Sequence, residues 1–250
     1  MVELARAIAS RQKVVLATIV DTNKSVPRRP GSKMLVYPDG TISGTIGGGE
    51  MESRAIAEAL EALESAQPRR LSYSLVDAAA GDPGICGGDV ELFLEPHMPQ
   101  PTLYVLGIGH VGSAVAELAR WLGYRVIAWD DRPEIASSVA GLDVSSESIV
   151  DVLKEHPIDE HTKIVMTTRS VSVDVEVLPA LLATPATFVG IMGSKRRWET
   201  TRETLLTAGQ SAESLARVHS PIGIDISAET PTEIAVAVLA EVIAHERDGT

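Results

Sequence analysis

Cysteine is nearly absent. Cys86 is the only one in 250 residues, so no disulfide can form within the chain, and a reducing cytoplasm is the expected setting. Basic residues are also scarce: Lys and Arg total 22 against 34 Asp and Glu, a formal net charge of -12. Binding nucleic acid in general, or an anionic membrane surface, needs a basic face, so neither partner is expected. A small anionic ligand needs only local positive charge and stays admissible. No apolar run approaches the ~20 residues of a membrane span, and residues 1–11 lack a signal peptide's apolar stretch. The histidines occur singly, with no H-x-x-x-H and no C-x-x-C, which removes the common zinc spacings. What remains, 44% hydrophobic and 22% charged, suits an ordinary globular protein with room for one large domain or two smaller ones.

The stretch 102–130 organises the second half. A short apolar run, Leu103-Tyr104-Val105-Leu106, leads into Gly107-Ile108-Gly109-His110-Val111-Gly112. Val111, Ala114, Val115, Leu118, Ala119 and Leu122 then recur at helical spacing, Gly123 ends that helix, and Arg125-Val126-Ile127-Ala128-Trp129 reads as a strand ending in Asp130. Strand, G-x-G-x-x-G, helix, strand and acid come in the order of a dinucleotide-binding βαβ unit. Gly107 would allow the tight turn, Gly109 the approach of a pyrophosphate, and Gly112 close packing of helix on strand. The helix N-terminus would face the phosphates and Asp130 a ribose diol. Asp130 would also repel a 2′-phosphate and favour NAD over NADP, a preference softened by Arg132. The alternative is that the glycines serve packing alone and Asp130 caps a turn.

The first half reads as a smaller α/β domain. A helix is expected over 2–10 and strands over 13–20, 33–37 and 41–46, the last two joined by the turn Pro38-Asp39-Gly40. Between them lies the proline-rich loop 21–32, where Lys24, Arg28 and Arg29 cluster in an otherwise acidic chain. It is either a solvated loop or an anion site. The third strand runs into Gly44-Thr45-Ile46-Gly47-Gly48-Gly49-Glu50 and a helix over 51–66. Three glycines between strand and helix resemble a phosphate loop, but the lysine and hydroxyl residue of an NTP site are missing, so ATP hydrolysis is not expected. A plain tight turn is the other reading.

Strands follow over 69–76 and 90–95, with the glycine-rich segment 77–89 between them. There Cys86 stands beside Gly84, Gly87 and Gly88. Backbone amides close to the sulfur would favour a thiolate able to carry sulfur, attack a substrate or ligate a soft metal; a lone cysteine is otherwise a small buried hydrophobe. The run 96–101, with its prolines, marks a domain boundary, giving domains over 1–98 and 99–250. Past Asp130 helices and strands alternate: helices over 133–139, 147–156 and 173–183, strands over 163–167 and 186–191, then Gly193-Ser194-Lys195-Arg196-Arg197 opening a helix to 208. In the last helix Thr230, Pro231 and Glu233 form a capping box, and Ile234, Ala235, Val238 and Val242 its buried face.

Together these motifs resemble the XdhC/CoxI family of accessory proteins for molybdenum hydroxylases such as xanthine dehydrogenase. The resemblance spans nearly the whole chain. It rests on Ser25-Val26-Pro27 with Arg29-Pro30-Gly31, on the Gly44–Glu50 run and on Cys86-Gly87-Gly88. In the second half it rests on Leu106 to Gly112, on Val189 to Arg196, and on Pro221-Ile222-Gly223 through Thr230 to Ala235. It implies an N-terminal cofactor-handling domain followed by a Rossmann-like doubly wound parallel sheet. The implied role is non-catalytic or barely catalytic: to bind the molybdenum cofactor (molybdopterin), hold it during sulfuration and deliver it to an apo molybdenum hydroxylase. A cysteine desulfurase as partner and a homodimeric state go with that role. Gly47, Gly48, Gly49, Glu50, Arg28 and Arg29 would meet the anionic cofactor and Cys86 its metal or terminal sulfur, while Gly107, Gly109, Gly112 and Asp130 would serve a possible NAD(P). An NAD(P)-dependent oxidoreductase and a pure interaction scaffold are the competing readings. One departure stands out: where the family resemblance leads one to expect Thr-His-Asp after the 163–167 strand, this chain has Thr167-Thr168-Arg169-Ser170.

Overall fold

The computed structural model describes residues 2–75, 87–136 and 141–248. They form two compact units, Met1–Pro99 and Gln100–Thr250, each built on its own sheet.

In the first unit α1 (Val2–Ala9) precedes β1 (Val14–Asn23), β2 (Lys33–Val36), β3 (Ile42–Gly44), α2 (Gly49–Ser65), β4 (Arg69–Ser74) and β5 (Asp89–His97). All neighbours pair antiparallel in the order β3-β2-β1-β5-β4. Successive strand side chains point to opposite faces. Val15, Ala17 and Ile19 therefore pack with α2, while Val14 and Leu16 pack with Leu4 and Ala7 of α1. Both faces of β1 are covered, which is why it is an unbroken apolar run instead of an alternating one. The buried stripe of α2 is mostly small (Met51, Ala55, Ala59, Ala62, Leu63), which lets the helix lie close to the sheet.

Expected boundaries move at the basic loop and at the linker, and β3 ends two residues short of the expected 46. β1 continues past an irregularity between Ile19 and Asp21, so the basic loop begins only after Asn23. The stretch expected as linker from Pro96 is still strand: Pro96 and His97 pair with Val15 and Val14. β4 flanks β5 only as far as the Arg69–Leu94 pair, so beyond it no second neighbour needs the N–H that proline lacks.

The second unit runs β6 (Thr102–Leu106), α3 (His110–Trp121), β7 (Arg125–Trp129), α4 (Pro133–Ala136), β8 (Val144–Ser145), α5 (Ile149–Glu155) and β9 (Thr162–Met166). It continues with α6 (Val171–Leu182), β10 (Phe188–Ile191), α7 (Lys195–Thr207), α8 (Ala212–Ala216), β11 (Val218–His219) and α9 (Pro231–Asp248). Every pair is parallel, in the order β11-β10-β9-β6-β7-β8. The chain winds outward from β6 in one direction and from β9 in the other, so the switch point of a doubly wound sheet falls between β6 and β9. Leu103, Val105, Ala128, Val165 and Phe188 pack with α3 and α9, and Tyr104, Leu106, Ile127, Trp129, Ile164 and Met166 pack with α5, α6 and α7. The C-terminal capping box forms: Thr230 Oγ1 accepts from Glu233 N at 3.3 Å, and Glu233 Oε2 accepts from Thr230 N at 2.8 Å. Leu122, expected on the buried face of α3, is 39% exposed beyond the end of that helix; Gly112 and Ala116 are buried instead. β8, β11 and α8 are too short to leave a periodic trace in sequence.

One polar cluster ties α9 to this sheet. Lys163 is buried in β9 and donates to Glu246 Oε1 at 3.0 Å, while the Tyr124 hydroxyl donates to Glu246 Oε2 at 2.8 Å. Burial pushes the Glu246 carboxyl up, but the bonds from Lys163 and Tyr124 outweigh it and hold it below the ordinary range. The two ends of the pair differ in exposure, 7% for the Lys163 side chain and 35% for Glu246, and this makes their removal unequal. Glu246→Ala strands a buried ammonium and is expected to cost ~3 kcal/mol, the low end for a broken buried pair. Lys163→Met leaves a carboxylate that water can reach and should cost about 1 kcal/mol or less. Urea unfolding of both variants checks the asymmetry. Because Glu246 is depressed in the folded state, its contribution is complete above the ordinary glutamate value of about 4.3 and disappears as pH falls through the lower folded value. The acid decline in unfolding free energy should therefore be shallower in Glu246→Gln than in the parent.

Candidate functional site

In the first unit the motif loops meet. A Cβ on Gly47 would lie 3.1 Å from Pro27 Cβ, and one on Gly88 would lie 2.3 Å from Ser25 O and 2.4 Å from Asn23 O. The basic loop is thus pressed against the glycine loop on one side and the Gly87-Gly88 turn on the other, tightly at Gly47 and with no space for a side chain at Gly88. Gly87 and Gly88 are held by a pair of bonds with Leu75, Gly87 N to Leu75 O at 2.7 Å and Leu75 N to Gly88 O at 2.8 Å. Cys86 lies outside the described residues. Arg28 and Arg29 are exposed, and neither side chain is engaged by another described residue.

The glycine loop is shaped by an acid that the sequence does not single out. Gly47, Gly48 and Gly49 all have positive φ (142°, 80° and 66°), a run that side chains would resist. Helix α2 starts at this loop without a side-chain cap, and Glu52 supplies the acceptor from one turn inside it. Its Oε2 accepts from Thr45 Oγ1 at 2.5 Å, Ile46 N at 3.1 Å and Gly48 N at 3.2 Å, while Gly47 N donates to Thr45 Oγ1 at 3.1 Å. Glu50 instead accepts from Arg54 Nε at 3.0 Å on the exposed face of the helix, a contact worth a few tenths of a kcal/mol. With the Gly47 and Gly48 amides engaged internally, the open ground is at Gly48 and Gly49, where a Cβ would meet nothing within 4 Å. The usable signal was an uncapped glycine-led helix with a second acid in its first turns, since orphan N–H groups must find an acceptor.

In the second unit the three glycines of the β6–α3 turn have different surroundings. A Cβ on Gly107 would lie 2.6 Å from Thr168 N, and one on Gly112 2.0 Å from Gly107 O and 2.6 Å from Thr167 Oγ1. Thr167 Oγ1 donates to Gly107 O at 2.5 Å, closing the turn against the end of β9. Gly109 faces open space. Asp130 is completely buried. Its Oδ2 accepts from Ile108 N at 2.7 Å and Arg132 Nη2 at 2.9 Å, and its Oδ1 from Arg132 Nε at 2.8 Å and Arg132 N at 3.1 Å. Burial pushes this carboxyl up, and the Arg132 guanidinium with the Ile108 and Arg132 amides more than reverses it, so Asp130 is held ionised below the ordinary range.

The departure after β9 has a structural counterpart. Arg169 Nη2 meets Asp131 Oδ2 at 2.6 Å. Thr168 Oγ1 donates to Asp174 Oδ1, and Arg197 donates to Asp174 Oδ2 from Nε at 3.1 Å and Nη2 at 2.6 Å and to Thr168 O from Nη1 at 2.8 Å. Asp174 is fully buried, so a paired carboxylate and guanidinium occupy this strand end and no imidazole does. Lys195 and Arg196, at the start of the same helix as Arg197, are exposed. Among the described residues no group of three or more His, Cys, Asp or Glu could hold a metal ion, and no helix is long and apolar enough to cross a membrane.

The chain is similar to known proteins. The model of the XdhC and CoxI family matches residues 7–74 and that of the XdhC Rossmann domain residues 103–242. The chain is 35% identical to the uncharacterized protein YqeB of Escherichia coli over 91% of its own length and 42% of that protein. It is 31% identical to a probable xanthine dehydrogenase subunit of Bacillus subtilis, over 61% of its length and 45% of the relative. It is 25% identical to the molybdenum cofactor insertion chaperone PaoD of E. coli over 94% of its length and 84% of the relative. The chain therefore spans less than half of the first two. A crystal structure described as a xanthine dehydrogenase from Bacillus halodurans superposes with a TM-score of 0.52 at 22% identity, covering 100% of this chain and 96% of that one, which shows the fold. With both halves matched by family models, the chain belongs to the XdhC and CoxI family.

Proposed function

We propose that this chain is an accessory protein that binds the molybdenum cofactor in its N-terminal unit, holds it during sulfuration and passes it to an apo molybdenum hydroxylase in the cytoplasm. The observation that carries this reading is the meeting of the loops at Gly47–Pro27 and Gly88–Ser25. It puts exposed arginines, an open glycine helix start and the turn directly following Cys86 within one small region. The cargo has complementary parts: an anionic phosphate and a dithiolene-bound molybdenum. Arg28, Arg29 and the Gly49 end of α2 suit the phosphate. A thiolate at Cys86 suits the soft metal or its terminal sulfur. A cysteine desulfurase as sulfur source and a homodimeric state complete the proposal, and the relative described as a molybdenum cofactor insertion chaperone supports it. The other reading, an NAD(P)-dependent oxidoreductase, has the strand order and the open approach at Gly109 on its side. The complete engagement of Asp130 by Arg132 and Ile108 weighs against it.

Retention of molybdenum cofactor after gel filtration tests the proposal. Arg28→Ala and Arg29→Ala remove exposed side chains, so the melting temperature should hold while cofactor affinity falls ~10–100-fold, as for loss of a charge-assisted bond. Unchanged retention in the double variant removes the phosphate site from this loop. Cys86→Ser should abolish retention at an unaltered melting temperature, because a protonated hydroxyl is a poor ligand for a soft metal. The opposite pattern, cofactor kept and melting lowered, makes Cys86 a packing residue.

A further inference from the structure

In a doubly wound sheet a dinucleotide lies across the switch point, with its pyrophosphate on the glycine turn and a ribose diol on the acid that ends the second strand. Here that acid is Asp130, and its carboxylate has no capacity left. A carboxylate offers about four acceptor positions. Asp130 fills them with Ile108 N, Arg132 N, Arg132 Nε and Arg132 Nη2, all between 2.7 and 3.1 Å. The carboxylate is fully buried, and the Arg132 side chain that forks it is 29% exposed, so the guanidinium stands between Asp130 and solvent. A second ion pair, Arg169 with Asp131, joins the loop after β9 to the loop after β7. β6 lies between those strands, so this pair spans the carboxyl end of the strand that feeds the glycine turn.

We propose that Arg132 is a built-in occupant of the ribose seat and that this crevice excludes adenine dinucleotides, although its phosphate end at Gly109 stands open. To bind, a neutral diol would have to displace a guanidinium that makes two charge-assisted bonds to a buried carboxylate, and diol hydroxyls replace such bonds poorly. A 2′-phosphate fares no better. It could draw on Arg132, but the carboxylates of Asp130, Asp131 and Glu134 all act on that guanidinium and would repel the phosphate. The inference concerns the second unit alone and is independent of cofactor handling by the first.

Calorimetric titration of the intact protein with NAD and NADP, in parent, Arg132→Ala and Arg132→Lys forms, decides the matter without any molybdenum cofactor. The parent should show no binding of either dinucleotide at about 1 mM, and at least one variant should bind NAD ~10-fold or more tighter than that limit. Arg132→Lys guards against failure of the alanine variant to fold: it keeps a positive charge for buried Asp130 but cannot fork it, freeing an acceptor position while the backbone amides of residues 108 and 132 stay bonded. Binding of NAD or NADP by the parent overturns the proposal. So does silence from the folded variants, since Arg132 would then not be what keeps the ligand out.

Discussion

A carboxylate withdrawn from water against a glycine turn, half-buried at Glu52 and fully buried at Asp130, is stable only when its lone pairs are matched by donors that offset the lost hydration. Both units of this chain depend on that constraint. Glu52 gathers a hydroxyl and two amides of the β3–α2 loop, and Asp130 gathers an amide of the β6–α3 turn together with its own Arg132. In each case the acid organises backbone that glycine leaves free to take other shapes. A ligand therefore meets turns already shaped, and what they offer is the residual opening at Gly48 and Gly49 in one unit and at Gly109 in the other.

Glycine contributes in a second way, by letting backbone meet backbone. Gly88 against Ser25 and Asn23, Gly112 against Gly107, and Gly107 against Thr168 are contacts that a single methyl group would prevent. The first joins two stretches separated by more than half of the N-terminal unit; the others close the switch point of the parallel sheet. The same residue type that makes these stretches look loop-like in sequence is what draws them together in space. Membership of the XdhC and CoxI family is consistent with this economy: the matched segments contain the basic and glycine loops of the first unit and the turn that opens the second, while the Gly87-Gly88 turn lies between them.

Much of the architecture was readable from the chain alone. The strand–glycine–helix–strand–acid order of 102–130, the Pro38-Asp39-Gly40 turn and the Thr230–Glu233 capping box are encoded within a few residues of one another, and each forms. The double-sided burial of β1 was legible as an apolar run, though not which helix covers which face. The short elements β8, β11 and α8 escaped because two to five residues cannot display a period.

Local chemistry, then, is what the sequence by itself determined: where strands and helices lie, which turns need glycine, and which family the motifs resemble. Tertiary structure alone decided partnership. Glu52, not Glu50, holds the glycine loop because the helical turn aims only the former back at the amides of Ile46 and Gly48. Asp174 pairs with Arg197 across 23 positions, and Asp131 with Arg169 across 38, because the parallel order β10-β9-β6-β7 brings the segments after these strands together at the carboxyl end of the sheet. Asp130 is the instructive case. Its position at the end of β7 follows from sequence, whereas its commitment to Arg132 depends on burial, since a carboxylate removed from water binds the nearest donors that can satisfy it fully.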